Sequence, residues 1–207
     1  MMRFLVFSIA FSILVATGGM YVMTIPGNGE DRFAKCRTTS VGGGMDMIGG
    51  PFTLVGESGD IVTEKQVIDQ PALIYFGYTF CPDICPLDAV RNVEAVSMLE
   101  DRGKMVKPVF ISIDPRRDTP EVMADFTENL HPRMLGLTGS EDQIKAVSKA
   151  YRTYYKRHDG DDKEHYLVDH STFSYLAFPD HGVVEFFRRD LTPQDMADRM
   201  SCFYDIG

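Results

Sequence analysis

The sequence has no run of basic residues and no excess of positive charge. Its 207 residues include 21 lysines and arginines against 30 aspartates and glutamates, so the net charge is −9 at pH 7. Because nucleic acids are bound through clustered positive charge, this balance argues against a nucleic-acid-binding surface. Internal repeats are also absent. The length and the 44% hydrophobic content predict one domain with a hydrophobic core, plus an appendage.

Long uncharged stretches are scarce, and the one at the N-terminus predicts a membrane anchor. Residues 4–25 are 22 residues without a charge, which at 1.5 Å per residue spans the roughly 30 Å hydrocarbon core of a bilayer. Arg3 precedes this segment, so residues 1–3 are expected on the cytoplasmic side. A cleaved signal peptide is the alternative, because Ala16-Thr17-Gly18 resembles a small-residue cleavage site. We expect a single uncleaved span in a bacterial inner membrane, which puts the soluble domain in the periplasm.

Residues 26–50 are expected to form a flexible linker, and residues 51–207 the folded domain. The linker segment is rich in glycine, threonine, serine and charged residues, and it includes Gly42-Gly43-Gly44 and Gly49-Gly50. This composition is typical of a tether between an anchor and a domain.

Strand and helix patterns alternate along the domain. Predicted strands cover Phe52–Val55, Ile61–Thr63, Ala72–Phe76, Pro108–Ile113, Met134–Thr138, Thr172–Phe178 and Val183–Phe187. Predicted helices run from Leu87 to Leu99, from Pro120 to about Leu130, from Ser140 to Tyr151 and from Pro193 to about Phe203. This order predicts an α/β three-layer fold with a central mixed sheet. A cysteine pair at the junction of a strand and a helix makes the predicted fold thioredoxin-like.

Cysteine is scarce, and the chain contains four. Cys36 and Cys202 flank the domain near its two ends, and in an oxidising compartment two such distant cysteines can form a staple. We predict a Cys36–Cys202 disulfide, with two unpaired and partly buried thiols as the alternative. Cys81 and Cys85 lie in the loop between a buried strand and a helix, where α/β sheets usually place their chemistry.

The spacing of Cys81 and Cys85 bears on what the pair does. Two thiols within reach of each other can close a redox disulfide or bind a soft metal ion. A general dithiol oxidoreductase would carry Cys-x-x-Cys, and a proline shortly before the hairpin strand. Here the spacing is Cys-x-x-x-Cys, and no proline occurs between Pro132 and Pro179. Both departures favour a metal site, for which the Cys81–Cys85 disulfide would be the oxidised, metal-free state.

A metal site needs a third ligand, and five histidines are candidates: His131, His158, His165, His170 and His181. His170 stands just before a predicted hairpin strand of the same sheet. The pattern alone does not separate His170 from His165, and a hydrogen-bonded structural histidine is the alternative. Two thiolates with one imidazole favour copper over magnesium, calcium or manganese. Zinc usually takes a fourth ligand in a structural site.

Four motifs, in this order and spacing, resemble the Sco/SenC family. They are Gly77-Tyr78-Thr79-Phe80-Cys81-Pro82-Asp83-Ile84-Cys85-Pro86, Ser112-Ile113-Asp114-Pro115-Arg116-Arg117-Asp118-Thr119-Pro120, Leu137-Thr138-Gly139 and Val168-Asp169-His170-Ser171. Members of this family are membrane-anchored, thioredoxin-fold copper proteins that help to assemble the binuclear copper A centre of cytochrome c oxidase. The resemblance implies that Cys81, Cys85 and His170 bind copper, and it selects His170 over His165.

The function that the resemblance implies is that of a copper metallochaperone rather than an enzyme. Both Cu(I) and Cu(II) are expected as the bound metal. The expected partners are the copper-bearing subunit II of cytochrome c oxidase and other periplasmic copper chaperones, with membrane contact through the N-terminal anchor. The alternatives are a thiol–disulfide reductase, which uses Cys81 and Cys85 to keep the target cysteines reduced, and a redox or copper sensor.

Overall fold

A mixed β-sheet of seven strands forms the centre of the domain. The computed structural model describes residues 31–158 and 165–207. The strands in these residues are β1 (Thr53–Gly56), β2 (Ile61–Thr63), β3 (Ala72–Gly77), β4 (Lys107–Ser112), β5 (Leu135–Thr138), β6 (Tyr155–Arg157), β7 (Val168–His170), β8 (Ser174–Phe178) and β9 (Gly182–Phe187). Seven of them form one sheet in the order β2-β1-β5-β4-β3-β8-β9, while β6 pairs with β7 in a separate sheet. The parallel strands β3, β4 and β5 occupy the middle, and β1 and β8 flank them as antiparallel neighbours.

The described residues contain five α-helices, four between strands and one after the last strand, and three of them begin where the sequence predicts. The helices are α1 (Glu64–Val67), α2 (Ile84–Glu100), α3 (Pro120–Glu128), α4 (Glu141–Ala150) and α5 (Pro193–Ile206), and a short 3₁₀ helix covers Met45–Met47. The hydroxyls of Thr119, Ser140 and Thr192 each accept a hydrogen bond from the backbone N–H three residues later. These side chains satisfy N–H groups that the first helical turn leaves without a partner, which is why α3, α4 and α5 start there.

The helices lie on both faces of the sheet. Leu73 and Ile74 are consecutive in β3, so their side chains point to opposite faces, and they belong to two different hydrophobic clusters. The cluster around Leu73 takes its helical members from α2 and α5: Ala95, Val96, Leu99, Met196, Ala197, Met200 and Phe203. The cluster around Ile74 includes residues of α3 and α4: Met123, Ile144 and Val147. The predicted thioredoxin-like α/β fold with a central mixed sheet is therefore confirmed.

Two hairpins are confirmed, and a third was not predicted. β1 pairs with β2, and β8 pairs with β9, each in antiparallel register. The additional hairpin is β6–β7, in which Tyr155 lies opposite His170 and Arg157 opposite Val168. The short charged segment Tyr155-Lys156-Arg157 offers no alternation of apolar and polar residues, so the usual strand signal is missing. The single turn of α1 was also not predicted.

The domain begins earlier in the chain than residue 51. The compact unit that contains the sheet runs from Phe33 to Gly207, so most of the predicted linker belongs to it. Four side chains of this segment are buried in the two clusters: Phe33, Cys36, Met45 and Ile48. Hydrophobic burial and the Cys36–Cys202 disulfide fix this segment. The disulfide was predicted, but the glycine-rich composition gave no indication of the burial.

The predicted anchor at residues 4–25 lies outside the described residues, as do residues 1–3 and the beginning of the predicted linker. Within residues 31–158 and 165–207, no helix combines the length and the apolar character that a membrane crossing requires.

Candidate metal centre

Cys81 and Cys85 are positioned by the junction of β3 and α2. Strand β3 ends at Gly77, where an added Cβ would lie 2.8 Å from Cζ of Phe110, so this position admits only glycine without a shift of the neighbouring ring. Cys81 follows in the loop, and Cys85 is the second residue of α2. The N–H of Cys85 donates to Sγ of Cys81 over 3.3 Å. The sulfur of Cys81 therefore lies at the N-terminal end of the helix.

His170, the last residue of β7, brings an imidazole to this pair. Its Nε2 lies 3.1 Å from Sγ of Cys85, and the two sulfurs and one ring nitrogen all lie within 4.8 Å of one another. No other cluster of three or more cysteine, histidine or acidic side chains in the described part of the chain has its ligand atoms so close. The geometry thus brings together the three side chains predicted as metal ligands.

The hydrogen bonds of His170 show which ring nitrogen carries the lone pair that faces the cysteines. Nδ1–H donates to the carbonyl oxygen of Ser171 over 2.8 Å, and a carbonyl can only accept. Nε2 is therefore the unprotonated nitrogen, and the thiol of Cys85 donates to it. A hydrogen bond from the other ring nitrogen to a carbonyl is the usual way in which metal-binding histidines are oriented.

Two tyrosine rings fix the orientation of the His170 ring. Tyr75 and Tyr78 each meet it edge to face, with ring centroids 6.2 and 6.0 Å from the imidazole. The hydroxyl of Tyr75 donates to Asp88 over 3.0 Å. Asp88 is buried and also lies 3.6 Å from a guanidinium nitrogen of Arg91. A rigid polar network therefore lies beneath the site, because a buried carboxylate is tolerated where its charge is paired.

The two thiols differ in acidity. Burial acts to raise the pKa of Cys81, but the backbone N–H groups of Asp83, Cys85 and Ile84 outweigh it, and the net effect is a lowered pKa. Burial raises the pKa of Cys85, which is fully buried. The difference follows from position, since helix N-termini stabilise thiolates and apolar surroundings oppose them. Cys81 is therefore the sulfur that ionises first.

The protonation state of His170 suits a ligand. Burial lowers the pKa of its ring below the ordinary histidine value, so the imidazole is neutral at pH 7. A metal ion binds the neutral ring, and no proton has to be removed from Nε2 before coordination.

A second buried carboxylate holds the cysteine loop. Asp118 accepts hydrogen bonds from the N–H of Thr79, from the hydroxyl of Thr79 at 2.6 Å and from the hydroxyl of Ser112 at 2.5 Å. Asp118 is fully buried, and burial raises its pKa. Because Thr79 is two residues from Cys81, these bonds tie the loop to the end of β4.

The chemistry of the donor set decides which metals fit. Two soft sulfurs and one imidazole nitrogen select copper or zinc over magnesium, calcium or manganese. A structural zinc site normally has four protein ligands, and no fourth histidine, cysteine or acidic ligand joins the three among the described residues. The site therefore fits copper best.

The other histidines lie elsewhere in the structure. His131 is buried, with Nε2 3.4 Å from a carboxylate oxygen of Glu100. Nε2 of the exposed His158 lies 2.7 Å from a carboxylate oxygen of Asp169. The His181 ring packs against Phe33. His165 does not belong to the cluster of metal ligands. The structure thus separates His170 from His165, which the local sequence pattern could not do.

Cys36 and Cys202 form a disulfide in the structure, with their Cα atoms 5.7 Å apart. Cys81 and Cys85 are both free thiols. The two cysteine pairs therefore have separate roles, because one closes a loop across the domain and the other remains available at the site.

Sequence reasoning missed the side chains that surround the ligands, chiefly Tyr75, Tyr78, Asp88 and Arg117. One signal was present at Tyr75, since a hydroxyl inside an otherwise apolar buried strand needs a hydrogen-bond partner. Asp88 lies three residues after Cys85, so it shares a helix face with that ligand. Tyr78 and Arg117 stand within two of the family motifs, but the sequence assigned neither of them a role beside the ligands.

The domain is thioredoxin-like, and it carries two free thiols and an imidazole within 4.8 Å of one another. Its class is therefore that of the metal-binding thioredoxin-like proteins. Residues 42–205 match the SCO1/SenC family, and the chain belongs to that family. Protein SenC of Rhodobacter capsulatus is 48% identical over 195 residues, which cover 94% of this chain and 87% of that protein.

Two solved structures show the same fold with a metal. ScoI of Arabidopsis thaliana with copper bound is 39% identical, has a TM-score of 0.71, and covers 76% of this chain and 98% of its own. ScoI of Bradyrhizobium japonicum with copper bound is 36% identical and has a TM-score of 0.67, and the match covers 74% of this chain and 98% of that one. In both comparisons the likeness extends over nearly the whole of the other chain.

Proposed function

We propose that this protein is a copper metallochaperone, which binds copper through Cys81, Cys85 and His170 and delivers it to the binuclear copper A centre of cytochrome c oxidase. The observation that carries the proposal is the convergence of these three side chains within 4.8 Å. Family membership and two related structures with bound copper support it. In this role copper is cargo, and the protein is not an enzyme.

The surroundings of the ligands support contact with another protein. Large apolar side chains are exposed close to the ligands along the chain: Phe80, Leu87, Leu167 and Phe173. Exposed apolar patches commonly mark interaction sites. Cys81, which is the more exposed and the more acidic of the two thiols, is the ligand that an incoming thiolate would replace first. Copper would then pass to the acceptor by stepwise exchange of thiolates.

The proposal places the domain on the outer side of a bacterial inner membrane. It rests on the uncharged segment at residues 4–25 and on Arg3 before it. The copper-bearing subunit II of cytochrome c oxidase is the proposed acceptor, and other periplasmic copper chaperones are the proposed donors. An anchor would keep the domain close to a membrane-embedded acceptor.

Copper binding by purified variants tests the ligand assignment. We expect one copper per wild-type protein, with a thiolate-to-Cu(II) absorption band. That band should be lost in Cys81→Ser and Cys85→Ser and altered in His170→Ala. His165→Ala is the matched control, because it removes a histidine close to β7 in the chain that does not belong to the cluster. Undiminished copper binding in all three ligand variants would defeat the proposal.

Delivery requires a separate experiment with an acceptor. The copper-loaded protein is mixed with the metal-free soluble domain of oxidase subunit II, and the copper content of each is measured after separation. Transfer from the wild-type protein that exceeds transfer from free copper–glutathione would support delivery. Copper that stays with the donor at all ratios would contradict it.

A thiol–disulfide reductase is the second candidate, and the difference in acidity between the two thiols favours it. The Cys81 thiolate would attack a disulfide of the acceptor and form a mixed disulfide. Cys85 would then close the Cys81–Cys85 disulfide and leave the acceptor with two thiols. This activity needs no imidazole ligand. Full oxidase assembly with a His170→Ala variant would favour the reductase over the metallochaperone.

A further inference from the structure

The hairpin that carries His170 lies outside the central sheet. Strand β7 pairs with β6 alone, and the seven-stranded sheet contains neither of them. The nearby backbone hydrogen bonds of this hairpin, from His158 to Leu167 and from Ser171 to Tyr154, stay within it. Strand pairing anchors the chain only from Ser174 onward, four residues after His170, where β8 pairs with Tyr75 of β3. Side-chain contacts between the two segments therefore have to hold the hairpin itself against the cysteine loop.

Arg117 provides one side of such a contact. Its guanidinium carbon lies 3.7 Å from the ring centroid of Tyr166, four residues before His170. The Nε of Arg117 donates to Asp114 over 2.6 Å, and the Tyr166 hydroxyl donates to the other oxygen of the same carboxylate over 2.5 Å. The side chains of Arg117 and Asp114 are only 11% and 1% exposed. Arg117, Asp114 and Tyr166 thus form a closed, buried triangle of contacts.

The same guanidinium also contacts the cysteine loop. Its central carbon lies 4.9 Å from the ring centroid of Phe80 and 5.6 Å from that of Tyr78. Phe80 precedes Cys81 directly, and the hydroxyl of Tyr78 accepts a hydrogen bond from the N–H of Val168 in β7. One buried cation therefore contacts aromatic rings from both segments that carry the metal ligands.

We propose that Arg117 is a positioning residue, which holds the β6–β7 hairpin against the cysteine loop and so determines how firmly His170 stays on the metal. The proposal deepens the copper-binding function and rests on it. Arginine suits this role because its flat guanidinium stacks on aromatic rings while its edge donates to a carboxylate. Lysine would keep the charge beside Asp114 and lose the stacking.

Two substitutions weaken the contact from its two sides. Arg117→Lys retains a cation for the buried Asp114 and removes the flat stacking surface. Tyr166→Leu removes the ring and leaves the ion pair between Arg117 and Asp114. Arg116→Lys is the matched control, because Arg116 also pairs with a carboxylate, that of Glu141, but its side chain is 52% exposed. A thermal unfolding curve for each variant shows whether the domain is folded.

The first measurement uses the metal-free, reduced protein. Amide hydrogen exchange of residues 168–170 is expected to accelerate roughly threefold to thirtyfold in Arg117→Lys and Tyr166→Leu, the range that one desolvated cation–π contact supports. Exchange in β3 should stay unchanged, and Arg116→Lys should match the wild type throughout. A general loss of stability would instead accelerate exchange in β3 as well.

The second measurement uses copper. Affinity is expected to fall about 10- to 100-fold, as is typical when the partners that orient a ligand are lost. The nitrogen coupling in the electron paramagnetic resonance spectrum of the Cu(II) form should weaken, while copper stays bound through the thiolates. The proposal would be overturned if Arg117→Lys and Tyr166→Leu both showed the same exchange rates and the same copper spectra as Arg116→Lys. If one variant does not fold, the other decides.

The two proposals fail in different ways. A wild-type protein that binds no copper would remove the metallochaperone function, and the exchange rates of the metal-free variants would still decide whether Arg117 holds the hairpin. A wild-type protein with the expected copper spectrum, together with unaffected Arg117→Lys and Tyr166→Leu variants, would remove the role of Arg117 alone.

Discussion

Sγ of Cys85 lies 3.1 Å from Nε2 of His170, although 85 residues separate them in the chain. The Cys85 thiol donates a hydrogen bond to Nε2. The other ring nitrogen, Nδ1, carries the proton and donates it to the carbonyl oxygen of Ser171. A ready-made acceptor lone pair therefore faces two sulfurs. Loading this site with a soft metal needs the loss of thiol protons and no rearrangement of the imidazole.

Cys81 should react with alkylating reagents well before Cys85 in the reduced, metal-free protein. The lowered pKa of Cys81 increases its thiolate fraction at pH 7, while burial raises the pKa of Cys85 and shields it. We expect a rate ratio of at least about tenfold, since each pKa unit changes the thiolate fraction tenfold below the pKa. Iodoacetamide labelling from pH 5 to 10, with peptide mapping by mass spectrometry, measures both rates.

The control for this experiment is the protein unfolded in denaturant, where both thiols should react alike. Equal rates in the folded protein would show that the N–H groups around Cys81 do not stabilise its thiolate. The pH at which labelling of Cys81 reaches half its maximal rate should lie below that of the unfolded chain.

Removing the disulfide should destabilise the domain. Cys36 and Cys202 are 166 positions apart, and the chain-entropy model gives an upper value of about 5 kcal/mol for a loop of that length. The double variant Cys36→Ser with Cys202→Ser is expected to unfold at a lower urea concentration than the oxidised wild type. Addition of a reductant should lower the midpoint of the wild type and leave that of the double variant unchanged. If the double variant unfolds at the same urea concentration as the oxidised wild type, the Cys36–Cys202 disulfide does not stabilise the domain.

The stability conferred by Asp118 should depend on pH in a defined direction. Because burial raises its pKa in the folded state, folded Asp118 takes up a proton at a pH where the unfolded chain is still ionised. Wild-type stability therefore gains from this group as the pH falls from neutral through the folded pKa, and the gain is complete below the ordinary aspartate pKa of about 3.9.

The variant Asp118→Asn cannot titrate and should lack this gain. The free energy of unfolding of the wild type minus that of Asp118→Asn should increase steadily between pH 7 and pH 4, as measured by urea unfolding at each pH. Asp125→Asn, which changes an exposed aspartate of α3, serves as the control for the loss of one negative charge. If the difference in free energy of unfolding between wild type and Asp118→Asn falls as the pH decreases, the pKa of folded Asp118 is not raised.

Glu185 should be required for the packing of the segment before the sheet. Its carboxylate is fully buried in β9 and accepts hydrogen bonds from the N–H of Thr38 and the N–H of Phe186, both over 2.9 Å, and from the hydroxyl of Thr39. Glu185→Ala leaves these donors without their acceptor, which costs about 1–3 kcal/mol for each donor that stays buried.

Urea unfolding and amide exchange at Thr38 measure this effect. Exchange at Thr38 should accelerate in Glu185→Ala, and the midpoint should fall. Glu94→Ala removes an exposed glutamate of α2 and is expected to change neither quantity. If Thr38 remains as protected in Glu185→Ala as in the wild type, the carboxylate does not hold the segment.

Local sequence patterns were sufficient for most of the fold. The apolar run at Ala72–Phe76 and the capped helix starts at Thr119, Ser140 and Thr192 appear in the structure where they were predicted. These signals work because burial of a strand and the capping of a helix depend on neighbours within a few residues. The β6–β7 hairpin lacked any such local signal.

The boundary of the domain could not be predicted for the same reason. Phe33 and Cys36 lie in a segment that is polar and glycine-rich on average, yet both are buried against α5 and β8. Their burial depends on elements more than 140 positions away, as the bond from Thr38 to Glu185 across 147 positions shows. Composition averages over a segment and does not report which of its side chains find a distant partner.

The sequence by itself determined the two cysteines at the end of a buried strand, the thioredoxin-like order of strands and helices, and the motifs of the SCO1/SenC family. The family motifs favoured His170 over His165, but only the tertiary structure placed Nε2 of His170 beside Sγ of Cys85. It also brought Arg117 into contact with both ligand-bearing segments. Spacing along the chain predicts contacts within a helical turn or a strand. The meeting of residues 85 positions apart is decided by the path of the whole chain and by how its side chains pack.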